Sequence, residues 1–186
     1  MTLKNYQKNA VDKLLVISKK LFEKDGTSIC IFKAPTGSGK TIMVADWLQL
    51  LAQEKLQKEY SFIWISGNNL HIQSREKLER YLENSRYTFS YLDEVQDNLF
   101  KENEIIFVNW HSLTKKDRQT GEWSNVYMRE NEKDRNLTSF VEKTKAEGRE
   151  IILIVDESHY HYWSDQSQEL IQQIINPKLI LEVSAT

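Results

Sequence analysis

The sequence has a single cysteine, Cys30, in 186 residues. That excludes an intrachain disulfide and any zinc site built on several thiolates, and it fits a reducing compartment such as the cytoplasm. Only two prolines and six glycines are present, too few for a linker-rich, collagen-like or low-complexity chain. No charge of one sign dominates: 25 Lys and Arg stand against 27 Asp and Glu, a net charge of -2. A chain-wide basic surface for nucleic acid is thereby excluded, although backbone amides and helix N-termini still offer local phosphate sites. Long hydrophobic runs are missing too. The longest aliphatic stretch, Ile151 to Val155, falls far short of the roughly 20 residues that span a bilayer. The N-terminus opens into an amphipathic pattern without the apolar core of a secretory leader. A cytoplasmic protein with no membrane partner is expected. What is there is 40% hydrophobic and 28% charged, the composition of a globular domain long enough to bury a core.

Apolar residues Leu3, Tyr6, Ala10, Leu14, Ile17 and Leu21 recur at helical spacing and predict an amphipathic helix over 4–23, ending near Gly26. Residues 28–32 form a short β-branched run, expected as a buried strand. Residues 40–53 are apolar nearly all round, which predicts a helix buried on most faces. Strands are expected at 61–66, 88–92, 104–109, 151–155 and 179–183, and helices at 69–82 and 166–175, the last ending before Pro177. Strands that alternate with helices and read as continuous apolar runs predict an α/β fold, a mostly parallel sheet covered on both faces. Residues 111–150 stand apart. They are polar, with nine Lys and Arg against eight Asp and Glu. They are expected as a solvated insertion carrying a helix over 137–146, without the excess positive charge of a DNA-binding arm.

Three motifs carry chemistry. Ala34-Pro35-Thr36-Gly37-Ser38-Gly39-Lys40-Thr41 follows a predicted strand and opens a predicted helix, the setting of a phosphate-binding P-loop. Gly37 and Gly39 let backbone amides converge on phosphate oxygens, and the helix adds its positive end. Lys40 supplies a charge for the β- and γ-phosphates, Thr41 a hydroxyl for Mg2+. Ala34 stands where the general pattern has Gly. Asp156-Glu157-Ser158-His159 ends the most apolar strand, which places Asp156 at the carboxyl edge of the sheet, where ligands of such folds bind. Asp156 suits Mg2+ held through water, and Glu157 suits a general base on the attacking water. His159 and His161 stand too close in sequence to Asp156 for a ready metal site, and no fourth ligand stands out. Tyr160, Tyr162 and Trp163 read as local packing. Ser184-Ala185-Thr186 follows the last strand and draws its weight from that position.

In this order, APTGSGKT, DESH and SAT resemble motifs I, II and III of superfamily 2 helicases and translocases, over the whole chain. Tyr6-Gln7 in LKNYQKNAV is similar to the family's adenine-reading glutamine motif. SGNNLHIQ, Ser66 to Gln73, sits where motif Ia lies, with Gly67-Asn68 replacing the usual proline. VNWHSL, Val108 to Leu113, looks like a later nucleic-acid-contacting motif. The polar insertion and the Asn109-Trp110 pair look most like the Res subunit of type III restriction enzymes. The resemblance implies a RecA-like ATPase domain over residues 1–186, the first of two. ATP and Mg2+ would be its cofactors. Gln7, Pro35, Thr36, Gly37, Ser38, Gly39, Lys40 and Thr41 would bind nucleotide, Thr41 and Asp156 the metal. Lys40, Asp156 and Glu157 would be catalytic. His159, Ser184 and Thr186 would couple the sites, and Asn68, Asn69, Gln73, Asn109 and Trp110 would contact nucleic acid.

In that family the nucleotide lies between two such domains, the second carrying the arginine finger. No residue here follows Thr186, so a fragment of a larger motor is expected. The strand before motif III is expected between the P-loop strand and the Asp156 strand. The resemblance further implies double-stranded DNA as partner, and a methyltransferase or specificity subunit. The competing readings are a DEAH-type RNA helicase and a nucleotide-binding module without turnover. A small-molecule kinase is disfavoured by the Ser-His after the acid pair and by the terminal SAT.

Overall fold

The structure is a computed structural model, and it describes residues 2–67, 69–113, 136–156 and 165–185. Six strands form one sheet in the order β1-β6-β5-β2-β4-β3, every pair parallel. They are β1 Ser28–Lys33, β2 Tyr60–Ser66, β3 Thr88–Tyr91, β4 Glu104–Asn109, β5 Glu150–Asp156 and β6 Leu179–Ser184. The α-helices are α1 Asn5–Phe22, α2 Lys40–Leu51, α3 Leu70–Tyr81, α4 Trp110–Leu113, α5 Leu137–Ala146 and α6 Asp165–Glu169. Strand β6 pairs with both β1 and β5, the central position expected for the strand before Ser184-Ala185.

The central strands β2, β4 and β5 are buried on both sides, which is why they read as unbroken apolar runs. Their alternate residues feed two cores. Phe62, Trp64, Ile105, Phe107, Ile152, Ile154, Leu181 and Val183 face α1, α2 and α3. Ile63, Ile65, Ile106, Val108, Leu153, Val155 and Ile180 face α5 and the segment before β6.

Four expectations are corrected. The buried stripe of α1 is Gln7, Val11, Leu14 and Ser18, not the row through Tyr6 and Ile17, which are 53% and 47% exposed. The register moved because two polar residues have partners inside: Ser18 Oγ accepts from Trp47 Nε1 at 3.0 Å, and Gln7 reaches the P-loop. Strand β1 is an edge strand among the described residues and is buried on one face only, with Ile29 and Ile31 exposed. The helix of 137–146 has its expected bounds, but it is not solvated all round; the insertion's residues 114–135 lie outside the described residues. Leu137, Phe140, Val141 and Thr144 are buried, and the Phe140 ring meets Phe100 edge-on at 6.0 Å. Glu150 belongs to β5. Finally, 165–175 is one turn of α-helix, Asp165–Glu169, followed by a π-helical stretch, Leu170–Ile175. The wider turn brings Leu170, Ile171 and Ile175 together against the sheet, and the Asn176 N–H closes on the Ile171 carbonyl.

Candidate functional site

The loop of residues 34–39 leaves the carboxyl end of β1 and turns into α2. It is tied at its base to the neighbouring strand, since the Ala34 N–H donates to the Ser184 carbonyl at 3.2 Å. It closes on itself through Ser38 N–H to Pro35 carbonyl at 3.1 Å. Gly37 and Gly39 have φ of +77° and +88°, the left-handed region that glycine enters without strain. The ladder of α2 begins with Met43 N–H on the Gly39 carbonyl at 3.0 Å. Amides ahead of that point are those a helix leaves for anions. Pro35, Thr36 and Gly37 are exposed, whereas Ser38, Gly39, Lys40 and Thr41 are half-buried. Ser38 Oγ is buried without a hydrogen-bond partner. A hydroxyl left unpaired in a cradle of amides fits a phosphate oxygen, so these residues suit a nucleotide phosphate.

Behind the loop stands Gln7, 8% exposed. Its Nε2 donates to the Ser38 carbonyl at 2.8 Å, and its Oε1 accepts from the Lys4 N–H at 2.9 Å. Tyr6 Oη donates to the same Ser38 carbonyl at 3.1 Å. A Cβ on Gly39 would lie 2.7 Å from Gln7 Nε2. Gly39 is therefore required twice over, by its backbone angle and by the glutamine pressed against it.

Register carries the rest of the site. Phe32, Val183, Asp156, Ser66 and Asn109 lie side by side across five strands. Strict alternation along each strand turns this row to the face that carries α2 and α3. Its β1 end is apolar and its β4 end polar. Asp156, half-buried, sits two strands from the P-loop strand, about 10 Å at ordinary strand spacing. Helix α3 roofs the polar half. Ser74 Oγ donates to Asp156 Oδ2 at 3.2 Å, and Asn109 Nδ2 donates to Asn69 Oδ1 at 2.8 Å. Between them Ser66 Oγ is buried without a partner. Asn69 enters α3 at φ 59°, a left-handed conformation that asparagine tolerates.

The structure thus brings together Gln7, the loop through Thr41, Asp156 and Ser184 at one edge of the sheet, and Asn69 beside Asn109 farther along it. Gln73 lies on α3 next to Ser74, and Trp110 opens α4 with 4% exposure. Burial of that indole makes it a packing residue of the second core. Glu157, His159, Thr186 and Asn68 lie outside the described residues, as do His161 and the aromatic residues 160, 162 and 163. Among the described residues, no three His, Cys, Asp or Glu side chains come close enough to hold a metal by themselves. None of their helices is long and apolar enough to cross a membrane. The chemistry available is that of a phosphate cradle with one acid beside it, which suits a metal shared with a phosphate.

Sequence reasoning missed Ser74, Ser66 and Glu182. Glu182 was signalled only by its charge inside an apolar run, Ser66 lay in the SGNNLHIQ stretch without being singled out, and Ser74 stood among polar residues with no signal at all. Glu182 is 3% exposed, and its Oε1 has no partner. Burial pushes its carboxyl above the ordinary value of 4.5, opposed by the charge of Lys33. A raised carboxyl penalises the folded state once the unfolded chain ionises, so stability falls as pH rises from about 4.5 through the folded value. Glu182→Gln should therefore stabilise residues 1–186 by on the order of 1 kcal/mol at pH 8. The gain in melting temperature should shrink towards pH 5; a gain independent of pH, read by calorimetry, would contradict the charge argument.

A family model described as "Type III restriction enzyme, res subunit" matches residues 1–186. Among solved structures, the chain is similar to a nuclease-deletion mutant of the Type ISP restriction-modification enzyme LlaGI in complex with a DNA substrate mimic. Identity is 14% and the TM-score 0.56, over 100% of this chain and 17% of that one. It is also similar to the ATP-dependent Type ISP restriction-modification enzyme LlaBIII bound to DNA, at 15% identity and a TM-score of 0.52, over 100% of this chain and 13% of that one. At these identities the likeness shows the fold, a RecA-like α/β domain. The chain spans less than a fifth of the length of either enzyme. No curated protein matches the sequence.

Proposed function

The chain belongs to the family of the res subunit of type III restriction enzymes, and from that premise we propose that residues 1–186 are the first RecA-like ATP-binding domain of a DNA translocase or helicase motor of a cytoplasmic restriction enzyme. The observation that carries this reading is the shared edge of the sheet: a glycine-turned phosphate loop on β1, with Asp156 two strands away on β5. The loop would hold the phosphates of ATP, and Lys40 would place its charge on them. Thr41 and Asp156 would hold Mg2+, which when bound neutralises charge on the phosphate oxygens. Glu157 would orient and deprotonate the attacking water, with His159, Ser184 and Thr186 relaying the state of that site. A second RecA-like domain would supply the arginine finger. Double-stranded DNA is the proposed track, reached through Asn68, Asn69, Gln73 and Asn109, and a methyltransferase or specificity subunit the proposed partner.

The DNA reading is tested on the longer protein that carries both domains. ATP turnover should rise with double-stranded DNA and rise little with RNA. A larger rise with RNA would favour the DEAH-type RNA helicase, and no response to either would favour a nucleotide-binding module.

Gln7 is proposed to read adenine. With one amide hydrogen on Ser38 and one lone pair on Lys4, the side chain keeps a second hydrogen and a second lone pair for a base edge. Gln7→Ala should narrow the preference for ATP over GTP in competition binding, because a site built to pair with one base rejects another by leaving groups unpaired. Absence of any such preference in the unaltered protein would leave Gln7 as a strut of the loop alone.

A further inference from the structure

Ser74 belongs to none of the motifs, yet it makes the hydrogen bond to Asp156. It sits on the second turn of α3 and is 6% exposed. A buried helical serine commonly returns its proton to the carbonyl one turn back, as Ser18 does to Leu14. Ser74 instead reaches off its helix to the carboxylate at the end of β5, with Oγ to Oδ2 at 3.2 Å.

The place of the donor is set independently of this bond. Leu78 anchors α3 in the first core. Arg75 pairs with Glu79 at 2.8 Å and with Glu94 at 2.7 Å, and its guanidinium lies 4.2 Å from the centre of the Tyr91 ring. Asn69 at the helix entrance is bonded to Asn109. The helix is therefore held at three points, and it presents the Ser74 hydroxyl to the carboxylate from a fixed backbone.

We propose that Ser74 is a positioning residue for Asp156, restraining the carboxylate in one orientation and tying it to the helix whose entrance holds Asn69. An aspartate has two soft side-chain torsions, and each orientation it samples away from the metal weakens that site. A carboxylate oxygen that accepts one hydrogen bond keeps another lone pair, so the serine orients the group without consuming it. This role rests on the reading of Asp156 as the Mg2+-supporting acid.

The test is the affinity of residues 1–186 for a fluorescent ATP analogue, measured with Mg2+ and again with EDTA. The ratio of the two affinities reports the metal site without reporting turnover. Ser74→Ala should lower that ratio about three- to tenfold and leave the EDTA affinity unchanged. Ser74→Cys keeps the volume but is a weak donor, and should behave like the alanine variant even if the latter is poorly folded. Ser74→Thr, which keeps the hydroxyl, should restore the ratio. Unchanged ratios in both the alanine and cysteine variants would overturn the proposal. Asp156→Asn separates the two levels. If it lowers the ratio while the serine variants do not, only the role of Ser74 fails; if it leaves the ratio unchanged, the metal reading of Asp156 fails with it.

Discussion

Residues 1–186 alone should turn over ATP at close to the background rate, and the same residues joined to a second RecA-like domain, with DNA present, should gain about 10³ to 10⁵ in rate. Phosphoryl transfer asks little covalent chemistry of the protein. It asks for charges already in place around the transferring group, in a site from which water is excluded. The described residues supply a loop, a helix N-terminus and one acid at the exposed edge of a sheet. Pro35, Thr36 and Gly37 face solvent, so a phosphate bound there would be covered on one side only. A second domain closing over that side would bring the opposing cation and remove the water. Steady-state hydrolysis, measured with and without DNA on the short and long proteins, checks both halves of the statement. Brisk DNA-stimulated turnover by residues 1–186 would mean that the site is complete within them.

Lys40→Ala should weaken binding of ATP with Mg2+ by about ten- to a hundredfold, the loss of one charge-assisted hydrogen bond of roughly 1.5–3 kcal/mol. Lys40 is the first residue of α2, and its side chain is half-buried. The substitution leaves the core intact, because the residues of α2 that hold the sheet are Met43, Val44, Trp47, Leu48 and Leu51. Calorimetric titration of the variant against the unaltered protein gives the answer, with the melting temperature as control. An unchanged affinity would remove the phosphate-loop reading of residues 34–41.

The sequence by itself determined the alternation of strands and helices, because strands buried on both faces must be apolar at every position and Ile151 to Val155 is. It determined the glycine-turned loop between β1 and α2 as well, since Gly37 and Gly39 allow the left-handed turns found there. It also placed Asp156 at a strand end, where an acid can follow five aliphatic residues only by leaving the core. Local chemistry sufficed for these. Tertiary structure decided what depends on residues far apart in the chain. Gln7 and Ser18 are polar, and polarity alone assigns them to water. They are buried because Ser38 and Trp47, about thirty positions away in each case, offer them hydrogen bonds inside. The helix of 137–146 looked solvated because its neighbours in sequence are charged, whereas its partners, Phe100 and β5, are brought to it by the fold. Ser74 and Glu182 were invisible for the same reason. A hydroxyl among the polar residues of a helix, or a carboxyl in an apolar run, has no meaning until register and packing show what stands opposite, and here one finds Asp156 while the Oε1 of the other finds no partner.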